Sequence, residues 1–245
     1  MSFLFWSFQT DFSGHGNGIL ATGGRGSARA QCRLALRVIR ALCSETDGLD
    51  GIKDHLITSF LQEGVMELLL LTLANVNNIT DNKVNDFVYI EGMKYEEFLI
   101  LNYALDDQID LEMQEDMLVI ISLICESDPA HKEACVETKL VQIIIHYLRD
   151  LPGKVVSGLR CDQLLLGVLD CLFNSILGNE AAEDKFLALE GAFLLADLLQ
   201  KTPSEMHPIV LSSLVELTEN PKSIRHLLTW RGTDPNNANQ FIRYN

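Results

Sequence analysis

The sequence predicts an all-α chain of stacked helical repeats, and three observations carry that prediction. Hydrophobic residues make up 47% of the chain but aromatics only 7%, a balance rich in Leu and Ile that suits aliphatic-filled helices better than sheets of Val, Thr and Tyr. Apolar residues recur at three- and four-residue intervals in segment after segment, the period of a helix with one buried face. The segments themselves recur, so that four copies of one pattern follow each other along the 245 residues.

Each copy opens with a first helix, predicted over Arg33 to Cys43, Asp116 to Cys125, Leu164 to Leu177 and Ile209 to Leu217. Polar turns end these helices: Ser44-Glu45-Thr46-Asp47, Glu126-Ser127-Asp128-Pro129, Gly178-Asn179-Glu180 and Thr218-Glu219-Asn220-Pro221. Such residues stop one helix and cap the next. A shorter second helix follows, around Lys53 to Phe60, His131 to Val136, Glu183 to Leu189 and Lys222 to Leu228. The third helix begins at Glu63-Gly64-Val65, Thr138-Lys139-Leu140 and Glu190-Gly191-Ala192 in the first three copies. Gly64 and Gly191 are placed where a tight turn lets three helices of a ~40-residue unit share one core.

This is the order of an armadillo repeat, and the expected fold is an armadillo-like right-handed superhelix, an α-solenoid of about three and a half repeats with an acidic insertion. The fourth copy breaks off near Trp230-Arg231-Gly232, where its third helix should begin. A solenoid repeat cannot bury its own apolar face, so the chain is expected to be a segment of a longer array. The domain reading is a Gly-rich irregular stretch over 1–27, repeats over 28–232, and a polar tail over 233–245. Within the repeats, the strongly acidic stretch about 75–111 reads as a solvated insertion that reaches Asp116, with one helix around Tyr95 to Tyr103.

Charge and cysteine usage narrow the function classes. Nineteen basic against thirty-four acidic residues leave a formal charge of −15, which repels a phosphate backbone and argues against nucleic acid as a partner. Cysteines at 32, 43, 125, 135, 161 and 171 form no C-x-x-C pair and fall in apolar periodic segments, the pattern of reduced core thiols in an intracellular protein. The opening Met1 to Phe8 lacks the basic flank and cleavage site of a secretory signal. No apolar run approaches the ~20 residues of a membrane span, so no membrane partner is expected. Without a secretory route, the sequon Asn78-Ile79-Thr80 is a chance match.

Few residues invite a chemical reading. The runs Gly14 to Gly18 and Gly23 to Gly26 have neither a preceding strand nor a following Lys-Ser/Thr pair, so they read as an entry loop and not as a phosphate cradle. Six histidines, at 15, 55, 131, 146, 207 and 226, lack metal-ligand spacing. Cys43, Cys125 and Cys171 have no base beside them in sequence and read as core thiols. The expectation is therefore no catalytic residue, no cofactor, no metal and no small-molecule substrate. One feature stands out from the acidic background, a basic stripe of Arg25, Arg29, Arg33, Arg37 and Arg40 at helical spacing, with no acid between Asp11 and Glu45. A charged helix face is ordinarily a solvent face, and the functional alternative is a dock for an acidic partner or for the chain's own acidic insertion. On that alternative, charge reversal at Arg33 and Arg37 weakens partner binding without unfolding the chain.

Several runs also carry a family resemblance. His15-Gly16-Asn17, Thr22 to Gly26 and Leu34 to Ala41 are followed in order by Asp116 to Ile120, Leu123 to Glu126, Ser157-Gly158-Leu159, Glu190 to Leu199 and Val215 to Lys222. In that colinear order, over roughly residues 14 to 232, the chain resembles the middle of the cilia- and flagella-associated protein 69 family. The acidic insertion before Asp116 departs from the family pattern. The resemblance implies a structural, non-enzymatic protein of the motile cilium and sperm flagellum, set in a projection of the axonemal central pair and bound to other central-apparatus proteins. A cytosolic armadillo adaptor that grips extended peptides along its third helices is the competing reading. Such adaptors carry ladders of Asn and Trp, whereas Asn75 and Trp230 here are isolated.

Overall fold

The structure is a computed structural model that describes residues 25–44, 50–77, 108–156 and 159–232. These residues form eleven α-helices and one minimal hairpin. The first repeat consists of α1 (Arg25–Ser44), α2 (Asp50–Gln62) and α3 (Val65–Val76). The second consists of α4 (Gln108–Ser127), α5 (Pro129–Cys135) and α6 (Leu140–Asp150), and the third of α7 (Asp162–Ser175), α8 (Glu180–Ala188) and α9 (Gly191–Lys201). After a 3-10 turn at Ser204–Met206, the fourth repeat supplies α10 (His207–Thr218) and α11 (Pro221–Thr229), and the helix ends before Trp230. The shorter second helix read from the sequence holds in the second and third repeats, whereas in the first α2, at 13 residues, is slightly longer than α3, at 12.

Two boundaries differ from the sequence reading. The insertion was expected over about 75–111, but α3 runs to Val76 and α4 already begins at Gln108. Acidic residues in the first turns of a helix suit its N-terminal dipole, so the acids around Leu111 belong to a helix as readily as to a loop. Helix α1 likewise begins at Arg25, inside the stretch read as irregular. The helix expected around Tyr95 to Tyr103 and the tail over 233–245 lie outside the described residues. Between α6 and α7, Val155–Val156 (β1) pairs antiparallel with Leu159–Arg160 (β2), a hairpin that helical periodicity does not announce. Adjacent β-branched valines favour extended backbone there.

Capping residues set the starts of α5, α8 and α11. Asp128, Asn179 and Asn220 precede α5, α8 and α11 in extended backbone, and each side chain accepts a hydrogen bond from a first-turn N–H, at 2.8, 3.1 and 3.1 Å. Pro129 and Pro221 occupy first-turn positions, where the missing N–H would have no partner anyway. Gly64 turns between α2 and α3 with φ +72°, a left-handed conformation that a Cβ disfavours.

By contact, the chain divides into two compact units, Met1–Ile120 and Ile121–Asn245, whereas the sequence reading treats 28–232 as one run of repeats. In the first, α2 packs against both α1 and α3, with Leu36, Ile39, Cys43, Ile57, Leu69 and Leu73 buried. In the second, α6 packs on α7, α8 and α9, and α10 and α11 pack on α9. Ile143, Ile144, Leu148, Phe186, Leu195 and Leu198 lie at its centre, each essentially sealed from solvent. Burying each such side chain contributes roughly 1.5–3 kcal/mol.

Candidate protein-binding surface

Helix α1 carries the basic stripe, and the structure shows where three of its members point. Arg33 donates from Nη2 to Glu112 Oε2, and Arg37 donates to the same oxygen from Nη2 at 3.1 Å. Arg37 also donates from Nε to Asp116 Oδ2 at 3.0 Å. Arg40 donates from Nη1 to Asp116 Oδ1 at 2.5 Å and to Glu115 Oε1 at 3.1 Å. Three guanidinium groups and three carboxylates therefore close one neutral network between α1 and α4. Burial pulls the Arg40 guanidinium down, but hydrogen bonds from it to Asp116 and Glu115 outweigh that and hold its pKa above the ordinary value. The side chains of Arg25 and Arg29 lie outside the described residues.

This corrects the sequence reading of the acids and gives the stripe a local partner. Glu112, Glu115 and Asp116 were read as the solvated end of an acidic stretch, yet the Asp116 side chain is 0% exposed. A buried carboxylate is tolerated because two arginines donate to its two oxygens. The signal was present in the spacing: Arg33 and Arg37 are separated by four residues, and so are Glu112 and Asp116. Two helices in matching register can pair such residues rung by rung. Charge reversal at Arg33 and Arg37 would therefore set like charges against Glu112 and Asp116, and so would not leave folding untouched.

The next junction along the repeats joins a hydroxyl, a carboxylate and an amide. Ser122 of α4 donates to Asp170 Oδ2 of α7 at 2.6 Å and accepts from Asn174 Nδ2 at 2.9 Å. A third tie joins the last two repeats. Glu183 of α8 accepts from the Gly178 N–H at 2.7 Å and from Asn220 Nδ2 at 3.0 Å, so the N-cap of α11 is itself held by the preceding repeat. Sequence reasoning missed both, because neither Ser122 nor Glu183 belongs to a motif.

The third helices show what their exposed faces carry. Gln142 and Arg149 of α6 are exposed, and His146 lies 3.6 Å from Asp150. On α9, Asp197 accepts from Trp230 Nε1 at 2.7 Å and pairs with Lys201 at 3.3 Å. Trp230 follows α11 and is engaged by the neighbouring repeat, so it is not a rung of a peptide-gripping ladder. The Asn75 side chain lies outside the described residues.

Cys43, Cys125, Cys135, Cys161 and Cys171 are all buried and outside any disulfide. Burial pushes the Cys43 thiol up to about 11, against a smaller opposing pull from Lys53. The contact with Cys135, then burial, pushes Cys125 far up, and burial above all does the same for Cys171, against an opposing hydrogen bond with Ser175. Thiols held protonated are poor nucleophiles. His131 is tied through Nδ1 to the Ile124 carbonyl at 3.0 Å, and His226 meets Phe193 in a tilted contact with ring centres 5.9 Å apart. Among the described residues, no three His, Cys, Asp or Glu side chains gather as metal ligands, and no single helix is long and apolar enough to cross a membrane.

Comparison with known proteins agrees with the repeat architecture. The family description "Cilia- and flagella-associated protein 69, ARM repeat" matches residues 1–243. Among curated proteins, cilia- and flagella-associated protein 69 of Callithrix jacchus is 31% identical over 243 residues, covering 99% of this chain and 23% of that protein. Its counterpart in Homo sapiens is 31% identical over 244 residues with the same coverage, and that of Mus musculus is 31% identical over 234 residues, 95% of this chain and 22% of its own length. The chain thus spans about a quarter of the relatives it matches. No solved structure matches. With three-helix repeats in the structure and a match that runs nearly from one end of the sequence to the other, the chain belongs to the cilia- and flagella-associated protein 69 family, in its armadillo-repeat region.

Proposed function

We propose that the chain is a protein-binding segment of a non-enzymatic scaffold in the axoneme of the motile cilium and sperm flagellum, at a projection of the central pair. The observation that carries this reading is the family match over residues 1–243, laid on an array of helical repeats. Stacked repeats present an extended surface, which suits assembly with other central-apparatus proteins. The engagement of the buried thiols and of Trp230 in packing supports a structural role over a catalytic or peptide-gripping one. An acidic partner recruited by α1 would compete with Glu112, Glu115 and Asp116 for Arg33, Arg37 and Arg40.

The test is to express the tagged full-length protein in ciliated cells, image it, and identify co-purifying proteins by mass spectrometry. Axonemal signal with central-apparatus proteins is the expected result. Diffuse cytosolic signal with signalling or transport proteins would replace the scaffold by the adaptor.

A further inference from the structure

Thiols meet inside the second repeat. Cys125 near the end of α4 and Cys135 at the end of α5 are both buried, with their Sγ atoms 3.5 Å apart. We propose that Cys125 and Cys135 form an oxidative modification site, closing to an intramolecular disulfide when the chain meets a peroxide.

The geometry requires little rearrangement. A disulfide brings two sulfurs to roughly 2.0 Å, so the pair must approach by about 1.5 Å. Helix α5 is suited to that movement, because it has seven residues and Cys135 is the one it buries. Asp128, Pro129, Ala130, Glu133 and Ala134 are exposed around it. An element with so few buried contacts opens locally at small cost. Cys171 is a third thiol near this pair, but it sits in the fourteen-residue α7, whose interior is packed on several sides, and its Sγ faces Ser175 Oγ at 3.7 Å.

The chemistry balances with the peroxide as oxidant. One thiolate attacks a peroxide oxygen, the O–O bond breaks, and a sulfenic acid forms with loss of hydroxide. The second thiolate attacks that sulfur and displaces hydroxide, so that two thiols and one hydrogen peroxide become a disulfide and two waters. Burial and the contact with Cys135 hold the Cys125 thiol protonated while the fold is closed, so its thiolate forms when α5 opens, and the reaction quickens as pH rises.

The experiment treats the 245-residue chain with hydrogen peroxide, alkylates remaining thiols after denaturation, and maps peptides without reduction. The expected product links Cys125 to Cys135, is lighter by two hydrogens, and is lost on adding dithiothreitol. The same link persists in Cys171→Ser and vanishes in Cys135→Ser. Recovery of both thiols fully alkylatable, under peroxide that oxidises the chain's methionines, overturns the proposal. So does a linked product that joins Cys125 to Cys171 instead.

Discussion

Gly191 and Glu190 share the turn into α9 in a way that a glycine count alone misassigns. The sequence reading put a glycine there for its backbone freedom, as holds at Gly64. In the structure the left-handed residue is Glu190, at φ 66°, while Gly191 is needed because a Cβ there would lie 2.4 Å from the Phe186 ring. Gly191→Ala should therefore destabilise the chain by about 1–3 kcal/mol through overpacking, measured by urea unfolding. Glu190→Gly should be neutral or stabilising by up to about 1 kcal/mol, since it relieves the left-handed strain. Cys43 yields a pH prediction. Its thiol keeps its proton up to about pH 11 in the fold, whereas the ordinary value is 9.0. Its contribution to stability is thus fully present below pH 9.0 and is lost as pH rises towards 11. Urea midpoints followed from neutral pH upward should fall across that window, and fall less steeply in Cys43→Ala.

At the scale of elements, equivalent positions separate what a helix carries from what covers it. Eight residues after the caps Asp128, Asn179 and Asn220 stand Val136, Leu187 and Leu228. The first two are 8% and 3% exposed, but Leu228 is 65% exposed, since α11 is the last described helix. Leu187→Ala should cost about 2–5 kcal/mol. Leu228→Ala should stay within about 0.5 kcal/mol, as surface substitutions do. Equal losses at the two sites, in the same unfolding measurement, would mean that Leu228 is covered in solution. The α1–α4 network ranks its members in the same way. Asp116→Ala strips two part-buried charge-assisted hydrogen bonds and should cost about 1–3 kcal/mol. Arg33→Gln removes a half-exposed pair and should cost no more than about 1 kcal/mol.

At the scale of the whole molecule, a repeat array holds together through neighbours, so its cooperativity is short-ranged. Gly191→Ala should speed amide hydrogen exchange in α8, α9 and α10 while leaving α1, α2 and α3 at wild-type rates. Equal loss of protection in α1 to α3 would show that the two compact units unfold as one. The sequence by itself determined the order of the described helices in repeats and the residues that cap α5, α8 and α11, because periodicity and capping act within a few positions of one another. It also determined the family, whose quoted runs lie in the same order along the chain. Only the tertiary structure decided that Glu112, Glu115 and Asp116 face Arg33, Arg37 and Arg40, that Glu183 holds Asn220, and that Cys125 meets Cys135. The arginine pairs join residues 75 to 79 apart. Which side chains meet over such a separation depends on how whole helices stack, and no local pattern in the chain records that.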